Sequence, residues 1–178
     1  ILNYIVRMQN PSIKYILKLS IPIFFANLAI PLVGIIDTGL MGNLGNLSYL
    51  SATSVAANLF SMIFWSFGFL RMGTTGFAAQ ASGRGDEQEV RAVLGRALLM
   101  AFGLGLLLIL IQWPIKLFAF SLLDGSSQVE LMAQSYFKIR IWGAPATLAT
   151  FALMGLLIGL GKSRTLLIVQ LFLNGLNI

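Results

Sequence analysis

The chain has 178 residues, 57% of them hydrophobic and only 10% charged, with a mean hydropathy of +0.86, whereas soluble domains average about 45–50% apolar and 25% charged. That balance specifies an integral membrane protein. Cysteine and histidine are absent, which removes disulfides, zinc sites, thiol nucleophiles and imidazole bases and points away from an enzyme. The net charge of +6 lies in clusters between apolar runs, where it reads as a topology signal and not as a nucleic-acid surface.

A helix needs about 20 apolar residues to cross roughly 30 Å of hydrocarbon, and the pattern predicts four such spans and the start of a fifth. The first covers about 12–41, with Ser12 as a candidate N-cap after Pro11. GNLGNLS is a short uncharged turn. The second span, about 49–82, is roughly 50 Å long at 1.5 Å per residue, so it must tilt or project into solvent. Gly83-Arg84-Gly85 ends it, and Asp86 with Glu89 has the form of a capping box for the third span, about 87–112. WPIKLFAFSLLDGSS reads as an amphipathic connector to a long fourth span, about 127–160. After Gly161-Lys162-Ser163-Arg164 a fifth helix opens over 165–178. A span that short does not cross a bilayer, and the chain is expected to be a piece of a larger helical bundle.

Arg7, Lys14 and Lys18, then Arg84, Arg91 and Arg96, then Lys162 and Arg164 all fall on one side of these spans. The positive-inside rule makes that side, and the N-terminus, cytoplasmic. The other side holds Lys116, Lys138 and Arg140, with no basic residue in its first loop.

Asp37 is the only acid in the first eighty-five residues, and a carboxylate at mid-bilayer costs about 2.5–3.5 kcal/mol on insertion scales. Burial favours the neutral form of a carboxyl, so an intramembrane acid is suited to exchanging a proton. Such a group also suits Na⁺ or a cationic substrate. Pro22 and Pro31 lie in the same span. Each removes a backbone hydrogen bond, giving either a static bend or a hinge coupled to Asp37. Arg71 is the second intramembrane charge; by helix rise it lies some 20 Å from Asp37, too far to neutralise it. Asn27, Asn58, Gln80, Asn174 and Asn177 must each find a partner, as interhelical contacts or in a cavity wall. Gly155-Leu-Leu-Ile-Gly159 is a small-residue pattern for close helix contact.

PLVGIIDTGLMGNLG in the first span, FLRMGTTGFAAQASGRGD across the end of the second, and RIWGAPATLATFALMGLLIGLGKSRTLLIVQLFLNGLNI at the end resemble multidrug and toxic compound extrusion (MATE) transporters, with FLRMGTTG pointing to the DNA-damage-inducible protein F (DinF) branch. The resemblance implies an all-α polytopic fold of twelve helices in two six-helix lobes. Residues 1–178 would supply four complete helices and the start of a fifth from the N-terminal lobe. It implies that Asp37 is the proton-binding acid, that Pro22 bends the helix, and that Asn177 shares the pocket with an acid four residues further on.

The expectation is therefore a cation-coupled antiporter, using H⁺ in preference to Na⁺ and no cofactor. It would export small organic, often cationic, compounds by alternating access from a multi-pass position in the cell membrane. Asp37 and Asn177 would hold the cation, Pro22 and Pro31 would bend the helix, and Asn27, Asn58 and Arg71 are candidate polar groups of the cavity. Its partners are membrane lipids, the substrate and the C-terminal lobe, with no nucleic acid. The alternatives are a lipid-linked precursor flippase of the same superfamily, for which only Arg71 offers a cavity cation, and a non-transporting scaffold.

Overall fold

The computed structural model describes residues 13–43, 47–121 and 127–176. Every regular element among them is helical: α1 (Ile13–Gly42), α2 (Leu47–Trp65), α3 (Gly68–Gly83), α4 (Glu87–Leu110), α5 (Gln112–Ser121), α6 (Ser127–Arg140), α7 (Ala144–Gly159) and α8 (Ser163–Leu176), with a 3₁₀ turn over Ile141–Gly143. Ser48–Gly83, Glu87–Leu110 and Ser127–Gly159 are each long and apolar enough to cross a membrane. At 30 residues, α1 has about 45 Å of rise, also enough to cross. The all-α polytopic class follows from these lengths.

Two spans that read as unbroken in sequence are jointed. In the second, Phe67 N–H donates to the Phe64 carbonyl and Leu70 N–H to the Phe67 carbonyl, each at 3.0 Å, so the ladder tightens to i→i−3 between α2 and α3. Ser66 Oγ donates to the Met62 carbonyl at 3.2 Å, a back-bond that bends helices, and Gly68 follows with its low helix propensity. In the fourth, Pro145 near the start of α7 has no N–H to offer the Ile141 carbonyl. Ala144 N–H takes that carbonyl instead, and the 3₁₀ turn results.

The two turns that carry basic residues share one construction. After α3, Gly85 at φ +72° lets its N–H reach the Ser82 carbonyl and the Asp86 N–H reach the Ala81 carbonyl. After α7, Gly161 at φ +65° does the same with Ile158, and Lys162 with Leu157. Both are helix terminations in which a left-handed residue satisfies otherwise stranded carbonyls. The capping box expected at Asp86 forms only in half. Its carboxylate accepts from Glu89 N–H at 2.8 Å, but the Asp86 N–H is already committed to Ala81 and the Glu89 carboxylate pairs with Arg96 at 3.0 Å.

The main core lies between α2, α3, α4, α6 and α7. Phe60, Phe137, Ile141 and Leu148 are its largest fully buried side chains. Phe60 and Phe137 stack with centroids 5.1 Å apart. Around them the helices meet through Ala52, Ala56, Ala97, Ala101, Ala133 and Ala152, small residues that let backbones approach where lipid gives no hydrophobic drive. α7 closes on α3 along a glycine seam. A Cβ on Gly155 would stand 2.5 Å from the Arg71 carbonyl, and one on Gly159 2.6 Å from the Thr75 carbonyl. Thr75 Oγ1 donates across the seam to the Gly155 carbonyl at 3.1 Å. On the other side of α7, Gly105 of α4 faces the backbone of Pro145 without room for a Cβ.

Candidate functional site

Outside that core, α1 packs along α8. A small cluster of Ala26, Met154 and Leu166, flanked by Ile23, Leu157 and Leu167, joins the pair to the end of α7. Leu19 Cδ2 lies 3.8 Å from where a Cβ would sit on Gly161, and Ile23 and Ala26 come together with Leu166 and Leu167. Sequence number rises along both helices together, so α1 and α8 run parallel.

Parallel packing from a shared starting level sets a register. Nine residues above Gly161, about 14 Å of rise, Gln170 stands level with Leu28. Asn174, about 20 Å above Gly161, stands level with Leu32. Asp37 lies near the far end of α1, about 27 Å above Leu19 and about 7 Å, nearly one and a half turns, beyond Asn174. Pro22 and Pro31 are both within α1, which runs helical through them. A proline withholds the donor that the carbonyl four residues earlier would use. For Pro31 that carbonyl is Asn27's, close to the level of Gln170.

Two polar atoms on α8 are buried with no hydrogen-bond partner among the described residues: Gln170 Oε1 and Asn174 Nδ2. Gln170 is only 6% exposed. A buried polar atom left unpaired costs about 1–3 kcal/mol, more than an apolar residue would at the same place. The i,i+4 spacing puts both amides on one face of α8, the start of a polar lane that points along the helix toward the level of Asp37.

The expected site residues divide between two places. Asp37, Pro22, Pro31 and Asn27 lie on α1, beside α8. The backbone of Asp37 and Pro31 is described and their side chains are not; Asn177 lies outside the described residues. Asn27 is exposed and Pro22 half-buried. Asn58 and Arg71 belong to the other body. Asn58 is exposed on α2, and Arg71 is half-buried on α3, where its carbonyl lies against Gly155 and shares the Thr75 hydroxyl proton, at 2.9 Å, with the Gly155 carbonyl. Gln170 went unnoticed in the sequence because it is embedded in LLIVQLFL; its spacing of four from Asn174 was the available signal. Among the described residues no group of three or more acids, histidines or cysteines is arranged to hold a metal ion.

Comparison with known proteins agrees with this architecture. The MatE family model matches residues 22–178. The chain is 38% identical over 167 residues to the DNA damage-inducible protein F of Escherichia coli, covering 94% of this chain and 36% of that protein. It is 29% identical to a probable multidrug resistance protein NorM of Synechococcus, over 96% of this chain and 37% of the relative. With the multidrug export protein MepA of Staphylococcus aureus it shares 22% identity, over 96% of this chain and 38% of the relative. The chain thus spans a little over a third of the length of these relatives. No solved structure matches it significantly.

Proposed function

The chain belongs to the MatE family of multi-pass membrane transporters, and from that premise we propose that it forms part of the N-terminal lobe of a cation-coupled antiporter. The transporter exports small organic, often cationic, compounds by alternating access, with H⁺ as the coupling ion in preference to Na⁺. The observation that carries this reading is the polar lane between α1 and α8: on one helix two buried amide atoms, Gln170 Oε1 and Asn174 Nδ2, without a partner among the described residues, and on its parallel neighbour an intramembrane acid with a proline six residues before it. Multidrug resistance and export in the names of relatives support the substrate class.

In this mechanism Asp37 takes the proton. The charged carboxylate draws donors toward itself in a site of low dielectric, where such contacts are strong. Asn174, nearly one and a half turns below it, and Asn177, three residues further along the chain, supply amide donors. Protonation neutralises Asp37 and weakens those contacts. The carbonyls that Pro22 and Pro31 leave without a donor weaken the ladder of α1 against bending. A bend there changes how α1 sits on α8 and releases a cationic substrate to the side opposite the basic turns, which the positive-inside rule makes the outside.

The test is Asp37→Asn in the whole transporter, reconstituted or in inverted vesicles. Drug-dependent proton movement falls by about fivefold or more, the scale of losing a coupling of 1–3 kcal/mol, while expression and membrane insertion are kept. Undiminished proton movement in that variant sinks the reading.

A further inference from the structure

A cleft of about 430 Å³ opens where the end of α4, the short helix α5 and the end of α6 meet. Phe137, fully buried and stacked on Phe60, is its base. Leu110, Trp113 and Trp142 add apolar surface, the two indoles being 68% and 66% exposed. Lys116 and Lys138, with Gln112 between the apolar residues, supply its polar groups. Nothing in the transport reading uses this place.

Charge and level both select its occupant. Among the described residues, two ammonium groups line the cleft and no carboxylate does. The described acids on soluble segments are engaged elsewhere: Glu87 with Arg91 and Glu89 with Arg96, Asp86 as a helix cap, and Glu130 accepting from Gln134 at 3.0 Å. Arg140, the third cation of this end, donates to the Tyr136 hydroxyl at 2.6 Å and lies over the Phe60 ring; it is not among the residues that line the cleft, and the lysines are. As for level, Trp142 stands about 25 Å of helical rise above Gly159, and Leu110 about 35 Å above Glu87. That is one hydrocarbon thickness from the basic turns, the depth at which indoles and lysines meet headgroups. Below the cleft, α4 exposes Leu99, Leu106 and Leu110, an apolar track for acyl chains.

We propose that this cleft binds an anionic phospholipid of the leaflet opposite the basic turns, with its phosphodiester between Lys116 and Lys138 and its chains along α4. The lysines then serve as a headgroup clamp on a face where positive charge is otherwise sparse.

Native mass spectrometry of the detergent-purified whole transporter tests this with phosphatidylglycerol against phosphatidylcholine of the same chains. The unmodified protein retains phosphatidylglycerol with a preference of about tenfold or more, the scale expected for two lysines meeting an anionic headgroup. Lys116→Gln with Lys138→Gln removes the preference. Lys116→Arg with Lys138→Arg keeps it, which separates loss of charge from loss of fold. Lys162→Gln with Arg164→Gln, at the opposite face, keeps it as well. An unchanged preference in the double glutamine variant overturns the proposal. Displacement of the lipid by equimolar inorganic phosphate also overturns it, because the site would then select a free anion.

Discussion

The body built from α2, α3, α4, α6 and α7 and the pair formed by α1 and α8 solve the same problem in opposite ways. In the first, helices close on one another through alanine and glycine until backbone meets backbone at Gly155, Gly159 and Gly105, and the buried Thr74 hydroxyl is spent on its own helix, donating to the Leu70 carbonyl at 2.7 Å. In the second, the apolar cluster shared among the described residues is small, two prolines interrupt the ladder of α1, and Gln170 Oε1 and Asn174 Nδ2 have no hydrogen-bond partner among the described residues. A membrane helix that only had to pack would carry leucine at both amide positions. The contrast therefore separates the part of the chain selected for cohesion from the part that keeps unspent polar capacity.

Breaking the cohesive side produces the largest change in stability. Gly155→Ala puts a Cβ 2.5 Å from the Arg71 carbonyl, and overpacking of this kind costs about 1–3 kcal/mol. Gly103→Ala, with nothing within 4 Å of its Cβ, is the control and gains up to about 1 kcal/mol from helix propensity. Thermal or denaturant unfolding of the purified protein reads both, and equal effects in the two variants erase the distinction.

Gln170→Leu combined with Asn174→Leu sharpens the comparison from the other side. Removing two unpaired amides raises stability by about 1 kcal/mol or more, while drug-dependent proton movement in the whole transporter declines. A stabilised variant with full transport would show the lane to be an idle defect. The smallest effect belongs to Thr75→Val, which deletes the α3–α7 hydrogen bond at 3.1 Å. Interhelical bonds in membranes average only about 0.6 kcal/mol, so a loss well above that would mean the glycine seam depends on the hydroxyl.

The spans were legible from hydropathy because a bilayer demands length and apolarity and little else. The close contact at Gly155-Leu-Leu-Ile-Gly159 was legible for a similar reason, since spacing of four small residues leaves one strip of helix bare. The joints at Ser66–Phe67 and Ile141–Gly143 were not, because each depends on competition for single carbonyls, Met62's by a serine hydroxyl and Ile141's by a displaced N–H. That competition leaves no mark on an apolar window. Asp37 stood out in sequence as a lone acid, whereas Gln170 became visible only once α8 was seen to lie along α1. Neutral amides inside a transmembrane run are common enough that burial, and not identity, makes them informative.

The glycine seam also has a mechanical side. Gly155 and Gly159 sit one turn apart over the carbonyls of Arg71 and Thr75, so α7 is notched against α3 like a key in a ward. A screw motion of α7, sliding and turning together by part of a turn, would bring the Cβ of Leu156, Leu157 or Ile158 onto those same carbonyls, where the atom it meets is backbone and cannot turn aside. A joint of that kind resists shear in either direction. Displacement imposed on α7 at this seam is handed directly to α3.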